Sequence, residues 1–212
     1  MKSPTFERVK RTYTDEARRL AAQSMAQLEE ARVTPDALTV SGVALCIAGS
    51  VAVWFQYAGW GLYWLGAVLF VVGSVLDILD GALARSRGIG SPFGAFLDST
   101  VDRVGEGFMI GAIGLVLMRQ ERMWAVALAF AAIAGSFLVS YARARAEALG
   151  LRGDVGLGSR AERVVVITAG LVLAPLSELV LPATMALLAA TAWLTVLQRI
   201  LFVRKQLRSS GG

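Results

Sequence analysis

Four aspartates stand inside otherwise apolar, membrane-length sequence: Asp77 and Asp80 in SVLDILDGALAR, then Asp98 and Asp102 in GAFLDSTVDR. Each ionised side chain at bilayer depth costs about 2.5–3.5 kcal/mol on insertion scales, so four without compensation would cost on the order of 10 kcal/mol. On an α-helix the i,i+3 and i,i+4 spacings put each pair on one face. A short loop between the two helices then brings the four carboxyl groups toward one locus. The chain has one cysteine, Cys46, and no histidine, so a metal held there would have oxygen ligands, which suits Mg²⁺, Mn²⁺ or Ca²⁺ rather than zinc or copper. The lack of histidine also excludes Ser-His-Asp chemistry. Gly81, Ala84 and Gly94 leave little bulk beside the aspartates, and Arg85 and Arg87 add positive charge where a guanidinium can fork onto a phosphate. Such a site would take a metal-bound pyrophosphate and support two-metal phosphoryl chemistry. By charge alone, ion pairing with membrane arginines and the cation pathway of a divalent-cation transporter also fit.

The elements that must position these residues are helices in a bilayer. The chain has 212 residues, 56% of them hydrophobic, a mean hydropathy of +0.60, and charges gathered in clusters between long apolar runs. That is the profile of an all-α polytopic membrane protein, since lipid-exposed backbone must satisfy its own hydrogen bonds. Six transmembrane helices are expected over residues 38–57, 61–84, 93–118, 123–148, 161–180 and 183–203. Residues 1–35 are expected to form an N-terminal interfacial amphipathic helix on the cytoplasmic side, residues 36–208 the six-helix membrane domain, and residues 209–212 a tail.

Lysine and arginine counts orient the chain. Residues 1–37 carry seven, the 84–92 loop two, the 143–163 region five and the end from Arg199 four, against Arg119 and Arg122 alone on the opposite side. The positive-inside rule places both termini and the aspartates on the cytoplasmic side. The net charge of +5 is thereby explained by anionic lipid headgroups, and no nucleic-acid partner is expected. Trp54, Tyr57, Trp60, Tyr63 and Trp64 read as an aromatic belt at the outer interface. Arg103 and Glu106, three residues apart, are expected to balance each other.

The pattern Asp77-x2-Asp80-Gly81-x2-Ala84-Arg85-x8-Gly94-x3-Asp98-x3-Asp102 resembles, at every fixed position, the signature of the CDP-alcohol phosphotransferase family, whose six-helix layout would cover nearly the whole chain. The resemblance implies transfer of a phosphatidyl group from CDP-diacylglycerol, or a phospho-base from a CDP-alcohol, to a hydroxyl acceptor with release of CMP. It implies two Mg²⁺ or Mn²⁺ ions held by Asp77, Asp80, Asp98 and Asp102, with Asp102 also the base that takes the acceptor's proton. It places Gly81, Ala84, Arg85, Ser91 and Gly94 around the CDP moiety. Thr34-Pro35-Asp36-Ala37-Leu38-Thr39 resembles the family's loop before the first span, so that Asp36 and Thr39 join the nucleotide set; a helix N-cap is the alternative, and both can hold.

The acceptor is read from arginines. Arg199 lies inside an apolar helix, which needs a reason, and with Arg143 and Arg163 it could form a three-helix cluster for an anionic acceptor. SYxRARAE, GxxxRAER and QR resemble the phosphatidylinositol-phosphate synthase branch of the family, found in actinobacteria and close to archaeal archaetidylinositol-phosphate synthases. That resemblance implies inositol 1-phosphate, or another phosphorylated alcohol, bound by Arg143, Arg163 and Arg199. It also implies a homodimer in a prokaryotic cell membrane. Glycerol 3-phosphate is the alternative acceptor.

Overall fold

The structure is a computed structural model that describes residues 34–156 and 158–210. The interfacial helix expected over residues 1–35 falls, up to residue 33, outside the described residues, as do the last two residues of the tail. Among the described residues there is no strand. Within the described residues six α-helices run α1 Pro35–Trp54, α2 Gly61–Ser86, α3 Pro92–Arg119, α4 Met123–Ala148, α5 Arg160–Leu173 and α6 Val180–Ser210, with 3₁₀ turns at Gln56–Ala58 and Ala174–Leu176.

Four of them, α1, α2, α4 and α6, are long and apolar enough to cross a membrane. The other two depart from the expectation for identifiable reasons. At 28 residues α3 has the length, but Asp98, Asp102, Arg103 and Glu106 fall within its first fifteen residues and lower its hydropathy. Only 14 residues long, α5 ends before Pro175, whose ring lacks an N–H and clashes with the preceding turn of a helix.

Local chemistry sets the helix starts. Thr34 caps α1, its Oγ1 accepting the Ala37 N–H at 3.3 Å, with Pro35 in the first turn. Ser91 caps α3 in the same way, accepting from Gly94 N at 2.9 Å with Pro92 next. Ser159 and Glu162 form a reciprocal capping box at α5.

The tightest packing joins α1 to α2. A Cβ on Gly42 would stand 2.8 Å from the Gly73 carbonyl, and one on Gly49 or Gly66 would stand 2.9 Å from the other's carbonyl. Two glycine pairs seven residues apart on each helix thus let the backbones touch, the usual basis of close helix association in lipid. This contact fixes Asp77 and Asp80, one to two turns beyond Gly73, against the start of α1. The apolar core is centred on Met109, Ile110, Ile113 and Leu117 of α3, with Ile167, Leu171, Met185 and Leu188 from α5 and α6. Tyr63 is only 4% exposed and belongs to this core rather than to an aromatic belt. At the opposite end from the aspartates, the Arg119 guanidinium stacks 4.1 Å from Trp54 and 4.5 Å from Tyr57.

Candidate functional site

With helices alternating in direction, the C-terminal ends of α2, α4 and α6 share one face with the N-terminal ends of α1, α3 and α5. The site residues expected from sequence lie toward that face. Asp77 from α2 and Asp98 and Asp102 from α3 converge so that one carboxylate oxygen of each lies within 4.8 Å of the others. Asp77 is buried and Asp98 and Asp102 partly so. Three carboxylates this close repel one another unless a cation sits among them, and the all-oxygen donor set fits Mg²⁺ or Mn²⁺.

Asp80 stands apart from the trio. Its carboxylate accepts a hydrogen bond from the Thr39 hydroxyl on α1, and it faces an adjacent cleft. That cleft, about 200 Å³ in volume, is lined by all seven residues expected at the nucleotide, Asp36, Thr39, Gly81, Ala84, Arg85, Ser91 and Gly94, together with Asp80 and Asp98. Asp98 therefore belongs to both the trio and the cleft. The cleft lies at the N-termini of α1 and α3, where free N–H groups and the helix dipole favour an anion. The last turn of α2 adds the Arg85 guanidinium. A pyrophosphate is the natural occupant of such a place.

Arg160 was not among the residues picked out as site residues from sequence. As the first residue of α5 it donates to Asp77 Oδ2, and its Nη2 lies 2.5 Å from Asp102 Oδ1. The second contact is an ion pair without an aligned N–H, so the buried Asp102 Oδ1 accepts no hydrogen bond. Arg103 approaches the other Asp102 oxygen at 3.5 Å. A signal for Arg160 existed: a cation at a helix N-terminus opposes the dipole, and its neighbour in the capping box is acidic. Pairing with carboxylates from α2 and α3 supplies the reason.

The three arginines expected at the acceptor are brought together, in different states. Arg143 and Arg163 both lie within electrostatic reach of Arg199. Arg143 is exposed and, among the described residues, pairs only with Glu147, one turn on in α4, at 2.8 Å. Arg199 is buried and donates through Nε to Val155 O at 2.9 Å and through Nη1 to Val139 O. Arg163, 4% exposed, donates to Glu106 through Nε at 2.6 Å and Nη2 at 2.9 Å, and to Gly158 O through Nη1 at 2.6 Å. Glu106 thus pairs across helices with Arg163, and with the Ser136 hydroxyl at 2.9 Å, instead of with Arg103 one turn away. Burial decides it: a carboxylate 6% exposed needs a full set of donors, and the fork from α5 together with the Ser136 hydroxyl provides it.

The segment between α4 and α5 is pinned by the same groups. Gly158 N donates to Thr195 Oγ1 at 2.9 Å, and Gln206 exchanges two hydrogen bonds with the backbone of Arg152. Beside them Arg152 hydrogen-bonds Asp154 and holds that exposed carboxyl below its usual range.

Comparison with known proteins agrees with this geometry. The family model for CDP-alcohol phosphatidyltransferase matches residues 32–198. A phosphatidylinositol phosphate synthase of Mycolicibacterium smegmatis is 38% identical over 179 residues, 82% of this chain and 79% of that protein. An archaetidylinositol phosphate synthase of Methanothermobacter thermautotrophicus is 36% identical over 174 residues, covering 82% and 84%. The crystal structure of Mycobacterium tuberculosis phosphatidylinositol phosphate synthase with CDP-DAG bound superposes with a TM-score of 0.78 at 31% identity, over 87% of this chain and 94% of that one. The same enzyme in complex with manganese and citrate gives 0.77.

Proposed function

The chain belongs to the CDP-alcohol phosphatidyltransferase family, and from that premise we propose that it transfers the phosphatidyl group of CDP-diacylglycerol to inositol 1-phosphate, giving phosphatidylinositol phosphate and CMP. The observation that carries this reading is the adjacency of two sites sharing Asp98: the carboxylate trio and the cleft at the two helix N-termini. The acceptor is supported by the relatives named above and by the neighbouring arginines.

Asp77, Asp98 and Asp102, with Asp80 beside them, would hold two divalent ions, whose positive charge offsets that developing on the pyrophosphate. Arg85 and the N-terminal N–H groups of α1 and α3 would bind the nucleotide side. Gly81, Ala84 and Gly94 keep the cleft wall low enough for it to enter. The acceptor's phosphate would be met by Arg143, whose guanidinium is open, and by the remaining donor capacity of Arg199; Arg163, held by Glu106, would add its charge and fix the cavity wall. Asp102 would take the acceptor hydroxyl's proton, its Oδ1 giving up the ion pair with Arg160 to do so. The alcohol oxygen then bonds to the lipid-side phosphorus while the bond from that phosphorus to the CMP oxygen breaks. Arg160 would hold Asp77 and Asp102 in register.

In this reading residues 36–208 are one catalytic membrane domain that crosses the bilayer six times. The site faces the cytoplasm, as do both termini, and two copies assemble as a dimer. A transporter would want a broken helix at its ion site, whereas α2 and α3 run unbroken past their aspartates.

Purified protein with Mn²⁺, CDP-diacylglycerol and radiolabelled inositol 1-phosphate or glycerol 3-phosphate tests the reading through CMP release. Release dependent on inositol 1-phosphate is expected. Turnover with glycerol 3-phosphate alone would overturn the acceptor, and no CMP with any alcohol would overturn the reaction.

A further inference from the structure

A second concavity lies away from the carboxylates, between α4 and α6. It measures about 590 Å³, and its floor is apolar, formed by Leu138, Val196, Ile200, Val203 and Leu207. Small-molecule sites span about 300–1,000 Å³, so it has the capacity for a ligand. Arg145, Arg204 and Arg208 stand among its lining residues, and no carboxylate does. Among the described residues these three arginines are exposed and make no ion pair or side-chain hydrogen bond. Of the residues expected in the reaction, only Arg199 reaches this groove, at its wall.

The arrangement is amphipathic along one axis. Arg145 is in the last turn of α4 and Arg208 in the last turn of α6, so the charges sit at the membrane surface. The apolar floor runs from there toward the bilayer interior: Val196 precedes Arg208 by twelve residues, about 18 Å along a helix at 1.5 Å per residue. Basic residues at the cytoplasmic end of an apolar groove between membrane helices recognise an anionic headgroup, and the groove below takes the chain.

We propose that this α4/α6 groove binds an anionic glycerophospholipid from the surrounding leaflet, its headgroup phosphate held by Arg145, Arg204 and Arg208 and an acyl chain laid along Val196, Ile200 and Val203. Charge favours this occupant over two others. A second copy packed symmetrically would set three arginines against the same three. Residues 1–33 carry seven lysines and arginines against five acidic residues, so their net charge repels the rim. The proposal does not depend on which alcohol the enzyme uses.

The test is lipid retention by purified full-length protein in nanodiscs of equal phosphatidylglycerol and phosphatidylcholine, read by native mass spectrometry, with a benzophenone side chain installed at position 203 in a parallel preparation. The expected result is a roughly tenfold preference for phosphatidylglycerol that is lost in the Arg145→Gln, Arg204→Gln, Arg208→Gln triple variant, and a photoadduct on lipid. The triple variant should keep its CMP release, so loss of lipid preference and loss of the reaction are separable. Equal retention of both lipids, or a preference unchanged in the triple variant, would overturn the proposal. An adduct on a second chain, or on residues 1–33, would assign the groove to that occupant and overturn it too.

Discussion

Glu106 on α3 and Arg163 on α5 face each other fork to fork, both less than a tenth exposed, at 2.6 and 2.9 Å. Through this pair the helix that carries Asp98 and Asp102 is tied to the helix that begins with Arg160. The Arg163 Nη1 bond to Gly158 extends the tie to the loop before α5.

Removing one partner of a buried pair strands the other's charge, at a cost of about 3–5 kcal/mol. Glu106→Ala should therefore lower the thermal midpoint in detergent sharply. Adding Arg163→Met to it should recover much of the loss, because no unpaired charge is then left. A double variant as unstable as the single one would show that the pair contributes packing rather than charge compensation.

Asp102→Asn keeps shape but cannot take a proton. CMP release should fall by about 10²–10⁴-fold, the contribution of a positioned general base, or further if an ion is lost with it. Retained binding of CDP-diacylglycerol, read by stabilisation against heat, would separate chemistry from ligand loss. Near-normal turnover would remove Asp102 as the base.

Arg160→Gln removes the guanidinium that joins Asp77 to Asp102. Without it the carboxylates depend on a divalent ion for compensation. The variant's thermal midpoint should fall relative to the parent in chelator and recover more than the parent's on adding Mn²⁺. Equal shifts in the two proteins would mean that Arg160 does not share the carboxylates with the ion.

Arg143→Ala should raise the KM for inositol 1-phosphate with little change in stability, since Arg143 is exposed and its only partner among the described residues is Glu147. Hydrogen bonds to charged groups are worth about 1.5–3 kcal/mol, or roughly 10- to 150-fold. Arg199→Ala should raise the same KM but also lower stability, because it releases Val155 and Val139. An unchanged KM in both would move the acceptor elsewhere.

Gly73→Ala would drive a methyl group into Cys46 Sγ at 2.7 Å and into the Gly42 carbonyl. Overpacking of this kind costs about 1–3 kcal/mol, and the displacement reaches Asp77 one turn on. Stability and activity should both fall, whereas Gly61→Ala, with open space around it, should leave both near the parent's. Equal behaviour would mean that the α1/α2 contact does not position the aspartate.

Much of the architecture was legible because hydropathy and breakers are local. The first four spans read from sequence overlap α1 to α4 with ends displaced by a few residues. The fifth was drawn to residue 180, but Pro175 stops α5 early; the sixth was drawn to residue 203, but α6 continues through its charged last turns to Ser210. The seven nucleotide positions were expected from the family resemblance, and they line one cleft: five stand on α2, α3 and the short loop between them, and the close α1/α2 contact brings Asp36 and Thr39 to the same place.

What the sequence determined by itself was the chemistry on offer: carboxylates without histidine, helices as their only membrane scaffold, and a spacing that puts pairs on one face. The partition among those groups was decided by tertiary structure. Asp80 turned to Thr39, leaving three carboxylates together, and Glu106 reached past Arg103 to Arg163. Arg160 entered the carboxylate site from a helix more than fifty residues further along the chain than Asp102. The reason is that burial requires each charge to find a partner in space, and which partner arrives depends on how helices distant in sequence pack.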